Sequence, residues 1–407
     1  MDRTQRRPDA TRWFWVLAAL GALVALAGLG AAHYMEEHGH AVTGMNNQVV
    51  WGLPHVFAIF MIVAASGVLN VASIGSVFGQ AAYKSRAPLS GLLCIALLAG
   101  GLAVLMLDLS RPERMVVAAT HYNFTSVFAW NVFLYSGMFG LVAVYLWLLM
   151  ERRMGAWSGH AGLAVFVWRL VLTTGTGMIF AFLVARPAYG TALLPPLFIV
   201  MSFAWGLAVF LLVQAALGAW TGRALPEDLH RRMRNLLGVF VAGACYLTLV
   251  YHVTNAYFAK QLAIERFLLV DGGVYPVLFW LGYVLVGTIA PLALVYGPRR
   301  TSTPALVAAS ALVVAGGFAF LYAFIIGGQA WPLEIFPGYD ATSTFGDGQI
   351  ATYAPSLPEL LLGLGGVAIA FLIAFIGLAA LPFAPEDPVP SLRAEAPKDA
   401  PAAGGAD

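Results

Sequence analysis

The sequence predicts an all-α membrane protein that crosses the bilayer about ten times, and its composition is the first observation that indicates this. Of its 407 residues, 60% are hydrophobic and only 10% are charged, and the mean hydropathy is +0.80. Soluble globular proteins contain roughly 45–50% apolar and about 25% charged residues. The composition therefore excludes an ordinary cytosolic enzyme and a disordered chain.

The second observation is a series of long apolar runs, which defines the helices one by one. A bilayer core of about 30 Å requires roughly 20 apolar residues per helix, and about ten runs reach that length. Barrel strands would instead alternate in polarity over about ten residues, and these runs do not. The predicted spans, in order, are Trp13–Ala32, Gly52–Phe78, Pro88–Leu107, Phe124–Met150, His160–Ala185, Thr191–Trp220, Leu236–Phe258, Val274–Tyr296, Pro304–Ile326 and Leu357–Phe383.

The chain divides into a membrane domain with a short tail at each end. Residues 1–12 form a basic tail before the first run. That run is long for a signal-peptide core and has no clear A-x-A cleavage motif before His33, so we expect it to remain as a helix. The membrane domain covers residues 13–383. Residues 384–407 are rich in Pro, Ala and charge, which is typical of a disordered tail.

The third observation is the uneven distribution of Lys and Arg over the loops. With the N-terminus in the cytoplasm, the cytoplasmic segments hold roughly sixteen of these residues and the opposite loops roughly five. This bias places both termini in the cytoplasm and predicts a multi-pass protein of the bacterial inner membrane. Two loops on the opposite, outer side are long, His33–Trp51 and Gly327–Ser356, and such loops are often functional or dock a partner.

Charge and cysteine content exclude several other classes of protein. The formal net charge is +2, and without a basic run this argues against a nucleic-acid partner. Cys94 and Cys245 both lie inside apolar runs, and no C-x-x-C motif is present. We therefore expect no metal site and no iron–sulfur cluster on this chain, and we assign any such cluster to a partner.

Polar and ionisable residues within or at the ends of the spans gather at the outer side of the membrane. Such groups are costly in lipid, so each is a functional candidate. They are His55, Asp108, Asn131, Tyr135, Arg186, His252 and Glu359, while Arg169 lies nearer the cytoplasm.

Each candidate also has a purely structural interpretation. His55 stands at a helix start, where it is suited to capping, and His252 lies among interfacial side chains. Asp108 is placed to form a loop salt bridge with Arg111 or Arg114.

The same holds for the remaining candidates. Tyr135 is also explained as an ordinary packed aromatic residue. Glu359 is suited to capping the tenth helix, where a carboxylate favours the positive end of the dipole. Arg169 is long enough to extend its guanidinium toward the cytoplasmic surface.

One face of the second span carries small polar residues. Ser66, Asn70, Ser73 and Ser76 recur at spacings of three and four, which places them on one side of a helix. This face is a candidate path for protons from the cytoplasm toward the level of His55, with Glu359 as a further member. The commoner use of such residues is close packing between helices.

A histidine that faces a tyrosine or an aspartate at membrane depth suits the head group of a quinone. The two quinone carbonyls accept hydrogen bonds, and the oxidation of a quinol requires two protons to leave. A neutral histidine accepts a proton near physiological pH, and a carboxylate relays it outward. The catalytic candidates are therefore His55, Tyr135 and Asp108.

Several segments resemble the NrfD/PsrC family, the membrane subunits of polysulfide-reductase-like complexes. The most specific is LDLSRPER at residues 107–114, followed by HYNFTS at residues 121–126. Weaker elements are ARPAYG at 185–190, PPLF at 195–198, and IIGGQ at 325–329 with YAPS at 353–356 and Glu359. The last of these is similar to the ten-helix branch that includes DsrP, HybB and the membrane subunits of alternative complex III.

The resemblance implies two four-helix bundles with flanking helices, and a protein that exchanges electrons between the quinone pool and a ferredoxin-like iron–sulfur subunit on the outer face. It implies further redox subunits, menaquinone or ubiquinone as the cofactor, and no haem on this chain. A DsrP-like role in sulfur metabolism is the first expectation. The quinone-binding residues that it implies, by their position in this sequence, are His55, Tyr135, Asn131, Arg111 and His121.

Two other functions remain open from the sequence. A b-type cytochrome needs two histidines that face each other, and His55 and His252 lie at compatible depths. A secondary transporter often shows repeats and broken helices near the midplane, whereas these polar groups lie toward one face.

Overall fold

The computed structural model describes residues 8–222, 225–298, 300–333, 336, 342–343 and 348–385. From residue 386 onward, the predicted C-terminal tail lies outside the described residues, as do residues 1–7 of the N-terminal tail. Arg223, Arg299 and part of the outer loop Gly327–Ser356 also lie outside them.

Ten helices in the described chain are long and apolar enough to cross a membrane, which confirms the predicted number of spans. We number them as spans 1 to 10 in chain order. Their bounds are Arg12–His38, Leu53–Ser76, Ala87–Leu107, Val127–Met150, Arg153–Ala181, Leu194–Thr221, Glu227–Tyr257, Val274–Tyr296, Thr303–Ala330 and Leu357–Ala380.

The predicted and observed bounds differ most at the start of span 7. The apolar run predicts a start at Leu236, but the helix begins at Glu227. Asp228 pairs with Arg231 at 2.6 Å and with Arg232 at 2.8 Å. These pairs between residues three and four apart support a polar helical turn, which a search for apolar runs does not detect.

Span 2 lies at the centre of the fold and contacts spans 3, 6 and 10. Spans 2 to 5 contact one another in a closed ring, and spans 6 to 9 form a second ring. This is the contact pattern expected of two four-helix bundles. Span 10 packs on spans 2 and 3, and span 1 packs outside it.

Two glycines permit the close approach of spans 2 and 6, which joins the two rings. A Cβ atom on Gly206 would lie only 2.1 Å from the carbonyl carbon of Gly67. Small residues at such crossings increase van der Waals contact, which drives helix association in lipid. The crossing therefore couples the two rings through their backbones.

Three spans depart from regular α-helix. Span 2 is interrupted at Leu69, between the helices Leu53–Val68 and Asn70–Ser76. Spans 8 and 9 contain π-helical segments at Leu278–Ile289 and Tyr322–Gly327. Wide turns of this kind occur frequently at functional sites. The segment in span 9 ends just before Gln329, whose contacts are described below.

Candidate functional site

The start of span 2 and the end of span 3 bring His55 and Asp108 together. We call this end of the molecule the outer end, following the orientation predicted from the loops. Span 2 starts after the extended residue Gly52, so His55 lies in its first turn. Asp108 directly follows span 3, and its Oδ2 atom lies 3.0 Å from His55 Nδ1. The Asp108 side chain is 2% exposed and that of His55 is 20% exposed.

This arrangement corrects the salt bridge considered for Asp108. Arg111 and Arg114 are both exposed, and no ion pair joins either of them to Asp108 among the residues that the structure describes. The backbone of Asp108 is held from the outer loop, because its carbonyl oxygen accepts a hydrogen bond from His40 Nε2 at 2.9 Å. The carboxylate is therefore left to face His55.

Three buried polar atoms near the outer end have no hydrogen-bond partner within the described chain. They are His55 Nδ1, Asp108 Oδ1 and Asn131 Oδ1. The contact between His55 and Asp108 is close, but it is not aligned as a hydrogen bond. Buried polar groups nearly always have a partner, so such atoms mark a place for a ligand, an ion or water. A quinone head group, with oxygens on both sides of its ring, fits this set of donors and acceptors.

Aromatic side chains form a wall beside His55. The Trp51 ring stacks on the His55 ring with 5.8 Å between centroids and 21° between planes. Phe128 of span 4 and Phe180 of span 5 meet the Trp51 ring at 6.4 and 5.6 Å. A flat ring that enters beside His55 therefore meets aromatic faces and edges, which favour stacked and edge-on contacts.

Asn131 and Tyr135 follow one another by one turn on span 4. The Asn131 amide donates to the carbonyl oxygens of Val127 at 2.9 Å and Gly175 at 3.3 Å, which fixes the side chain between spans 4 and 5. Tyr135 is half-buried. Neither side chain forms a hydrogen bond to His55 or Asp108 in the described structure, so the four predicted residues form two groups.

The structure does not bring Arg111 and His121 to the His55–Asp108 pair. Both side chains are exposed in the segment between spans 3 and 4. The only polar neighbour of His121 among the described residues is Thr120, whose Oγ1 lies 3.0 Å from His121 Nδ1. A quinone-binding role for Arg111 and His121 therefore gains no geometric support.

Gln329, at the end of span 9, holds the backbone of Trp51 in place. Its Oε1 atom accepts hydrogen bonds from the amides of Val50 and Trp51 at 3.1 and 3.0 Å. Its Nε2 atom donates to the carbonyl oxygens of Trp51 at 3.0 Å and Ile325 at 2.9 Å. The side chain is fully buried, so this amide positions the residue that stacks on His55.

Arg186 reinforces the same junction. Its guanidinium donates to the carbonyl oxygens of Gln329 at 3.1 Å and Gln48 at 2.8 Å. The positioning role of Gln329 was missed by the sequence reasoning. The available signal was a polar amide at the end of an apolar run, next to the family-like glycines.

Glu359 has the structural role considered for it, since it forms a capping box with Ser356 at the start of span 10. Its completely buried carboxylate also accepts from the Gly44 amide at 2.9 Å and from the Tyr353 hydroxyl at 2.6 Å. The Tyr353 hydroxyl in turn accepts from the Leu53 amide at 2.7 Å. Burial, and the hydrogen bond to Glu359, raise the pKa of Tyr353 well above its usual range. Glu359 therefore holds the start of span 2 from its other side.

The polar face of span 2 forms a cluster with span 5 rather than a line toward His55. Thr173 donates to Ser66 at 2.7 Å, and Arg169 donates to the Asn70 side chain at 2.8 Å and to the Ser66 carbonyl at 3.1 Å. Ser73 is buried one turn further on. All residues from Val56 to Ala65 are apolar, a rise of roughly 15 Å along the helix. A proton path through these residues stays a prediction.

Arg169 itself does not extend to the surface as considered from the sequence. It is 2% exposed, and its guanidinium lies 5.1 and 5.3 Å from the ring centres of Phe166 and Phe203. The partners that retain it in the interior are the Ser66 carbonyl and the Asn70 side chain, on either side of the interruption at Leu69. These contacts and the two rings compensate a guanidinium held away from water.

The histidines considered as haem ligands belong to different rings of spans. His55 pairs with Asp108 in the first ring, and His252 of span 7 pairs with Glu265 at 2.7 Å in the second. The facing arrangement that a bis-histidine haem requires is therefore not supported. Among the described residues, no group of three or more His, Cys, Asp or Glu side chains is placed to hold a metal ion.

Comparisons with known proteins match nearly the whole chain. The family described as "Polysulphide reductase, NrfD" matches residues 41–332. The Hdr-like menaquinol oxidoreductase integral membrane subunit of Archaeoglobus fulgidus is 31% identical over 386 residues, which cover 93% of this chain and 95% of the relative.

Two further relatives extend the same pattern. A putative membrane subunit of the dimethyl sulfoxide reductase of Halobacterium salinarum is 28% identical, over 94% of this chain and 95% of its own length. The protein NrfD of Escherichia coli is 25% identical over 69% of this chain and 95% of its own length. Because the family match spans well over half of the residues and agrees with the ten-span fold, the chain belongs to the polysulphide reductase NrfD family of multi-pass membrane proteins.

Proposed function

We propose that this chain is the quinone-reactive membrane subunit of a respiratory or sulfur-metabolism redox complex, and that it exchanges electrons between the quinone pool and an iron–sulfur subunit. The observation that carries the proposal is the His55–Asp108 pair, with unsatisfied buried polar atoms beside an aromatic wall at one end of the spans. The family supports it, because its members include membrane subunits named for menaquinol and polysulfide oxidoreductases.

A quinol supplies two electrons and two protons when it is bound at this site. Neutral His55 accepts a hydroxyl proton, since imidazole titrates near physiological pH. Asp108 orients the ring through Nδ1 and gives the proton a carboxylate to pass to at the outer end. Trp51 stacks on the histidine and limits the space on its other side. Tyr135 and Asn131 lie deeper along span 4, where they are placed to contact the far side of the head group.

We assign the iron–sulfur partner to the outer end, where two loops form one connected surface. The Asn46 side chain donates to the Thr352 carbonyl at 3.2 Å, and the Ala351 amide donates to the Ala330 carbonyl at 2.8 Å. Gly44 is tied to Glu359. A docking surface held in this way lies directly above Trp51 and His55, so it keeps an electron acceptor close to the site.

We place the chain in the bacterial inner membrane with both termini in the cytoplasm, from the distribution of Lys and Arg. The outer end then faces the extracytoplasmic side, and protons from the site are released there. Menaquinol is the first substrate to test, because the relative from Archaeoglobus fulgidus is named for it.

The proposal is tested on the gently purified complex by optical spectroscopy. We expect the oxidised complex to show the broad absorption of a co-purifying iron–sulfur subunit, and a menaquinol analogue to bleach it. An oxidised quinone added as control should leave the band unchanged. A sharp haem band that belongs to this chain, or an iron–sulfur band that quinol never bleaches, would contradict the proposal.

A further inference from the structure

A second histidine–carboxylate pair lies in the other ring of spans and has no part in the site described above. His252 Nδ1 on span 7 lies 2.7 Å from Glu265 Oε2, on the short helix Ala259–Arg266 that follows the span. Asn255 donates to the other carboxylate oxygen at 2.8 Å. Glu265 is 1% exposed, so its carboxylate is held in the interior by these two side chains.

The arrangement fixes which nitrogen of His252 is free. An ionised carboxylate only accepts hydrogen bonds, so the ring carries its hydrogen on Nδ1 and presents Nε2 as an acceptor. No described residue forms a hydrogen bond to Nε2. His55 shows the same orientation, with Nδ1 toward Asp108, but there the contact is not aligned as a hydrogen bond. The second pair is therefore the better aligned of the two.

The surroundings of His252 define what reaches that nitrogen. Its side chain is 12% exposed, between spans 7 and 8, and the Phe279 ring stands against it at 4.7 Å. The neighbouring side chains Val253 and Trp280 are 60% and 50% exposed on the apolar surface of the spans. A ligand of Nε2 must therefore be soluble in lipid and must carry a hydroxyl group that donates a hydrogen bond.

We propose that His252 and Glu265 form a second binding site for the hydroxylated head group of a membrane quinol, between spans 7 and 8. The quinol hydroxyl donates to His252 Nε2, and its ring packs beside Phe279. The inference rests on the proposed function, since it takes quinol as the lipid-soluble molecule that the protein meets. It is a binding site, and no electron transfer is assigned to it.

The test is photolabelling of the purified complex with an azido-quinone, reduced to its quinol, in nanodiscs of phosphatidylcholine. We expect labelled peptides from two regions, spans 2 to 4 and spans 7 to 8. His252→Gln should reduce labelling of the second region about tenfold, as the loss of one hydrogen bond worth about 1.4 kcal/mol would. The same variant should leave the first region labelled, while His55→Gln should do the reverse.

Glu265→Gln separates ligand binding from a merely structural role for the pair. Asn255 donates to one carboxylate oxygen, so the new amide keeps its oxygen there and turns its nitrogen toward His252 Nδ1. The ring hydrogen then moves to Nε2, which no longer accepts from the quinol. We expect an assembled complex with an unchanged melting temperature and reduced labelling of spans 7 to 8.

The outcomes distinguish the two proposals. Labelling confined to spans 2 to 4, or labelling of spans 7 to 8 that His252→Gln does not reduce, would overturn the second site and leave the proposed function intact. Competition by excess phosphatidylglycerol rather than excess quinol would overturn the quinol assignment, because the site would then take lipid hydroxyl groups. Absence of label in both regions would overturn the second site and contradict the proposed function as well.

Discussion

Replacement of His55 by Gln is expected to lower quinol-dependent turnover of the complex by about 10²-fold, the lower end of what a positioned acid–base group contributes. Gln is similar in size and retains a polar group beside Asp108, but it does not accept a proton in the working pH range. The helix start is maintained by the backbone, since the His55 amide donates to the Gly52 carbonyl at 3.2 Å. The measurement is the rate at which a menaquinol analogue reduces the complex.

His160→Gln is the matched control for this prediction. His160 is exposed at the opposite end of the molecule, near the start of span 5, and its ring contacts only Trp157. We expect unchanged turnover in this variant. If His55→Gln assembles with its partners and turns over at the wild-type rate, His55 does not accept the quinol proton.

Gln329→Leu is expected to lower both the stability of the protein and its apparent affinity for quinol. Leu fills a similar volume but leaves the Val50 and Trp51 amides and the Trp51 carbonyl without their partner. Each unsatisfied buried group costs about 1–3 kcal/mol. The released segment carries Trp51, so we expect a fall in the melting temperature together with a higher KM for quinol. Thermal unfolding and quinol titration of the same preparation measure the two effects.

Gln48→Leu provides the control for a general loss of packing. Gln48 is a buried amide of the same outer loop, but its side chain makes only one described hydrogen bond, to the Ala330 carbonyl at 2.7 Å. We expect a smaller loss of stability and little change in KM. An equal rise of KM in both variants would show that Gln329 stabilises the loop without positioning Trp51.

The fold was largely predictable because the bilayer constrains it so strongly. An apolar run of about 20 residues has few alternatives in lipid, where every backbone group needs an internal partner. Polar helical turns escape this logic, as the start of span 7 at Glu227 shows. The π-helical segments of spans 8 and 9 likewise leave no mark in hydropathy, because their residues are as apolar as regular helix.

The candidate site was predictable as a set of residues but not as a set of contacts. The depth argument selected both His55 and Asp108, yet it assigned Asp108 to nearby arginines, because sequence separation favours local partners. The observed partner lies far away in sequence and comes from a neighbouring span. Arg169 was expected at the surface for a similar reason, since its buried partners become available only through the packing of span 5 on span 2.

Glu265 was missed because it lies in a segment that hydropathy assigns to a loop. Its burial depends on the short helix Ala259–Arg266 folding back on span 7, where His252 and Asn255 hold the carboxylate. The signal available in the sequence was an acidic residue among apolar neighbours in a short loop. Tertiary contacts of this kind are not encoded in periodicity alone.

The central claim is that His55 and Asp108 act as one proton-accepting unit, and a double-mutant cycle on quinol turnover tests it most directly. The four complexes are wild type, His55→Gln, Asp108→Asn and the double variant, all compared at equal assembly. Residues that act as a unit are strongly non-additive. We predict that the double variant is about as slow as His55→Gln alone. Turnover reduced by the product of the two single effects would contradict the claim, because it would show that the two side chains act independently.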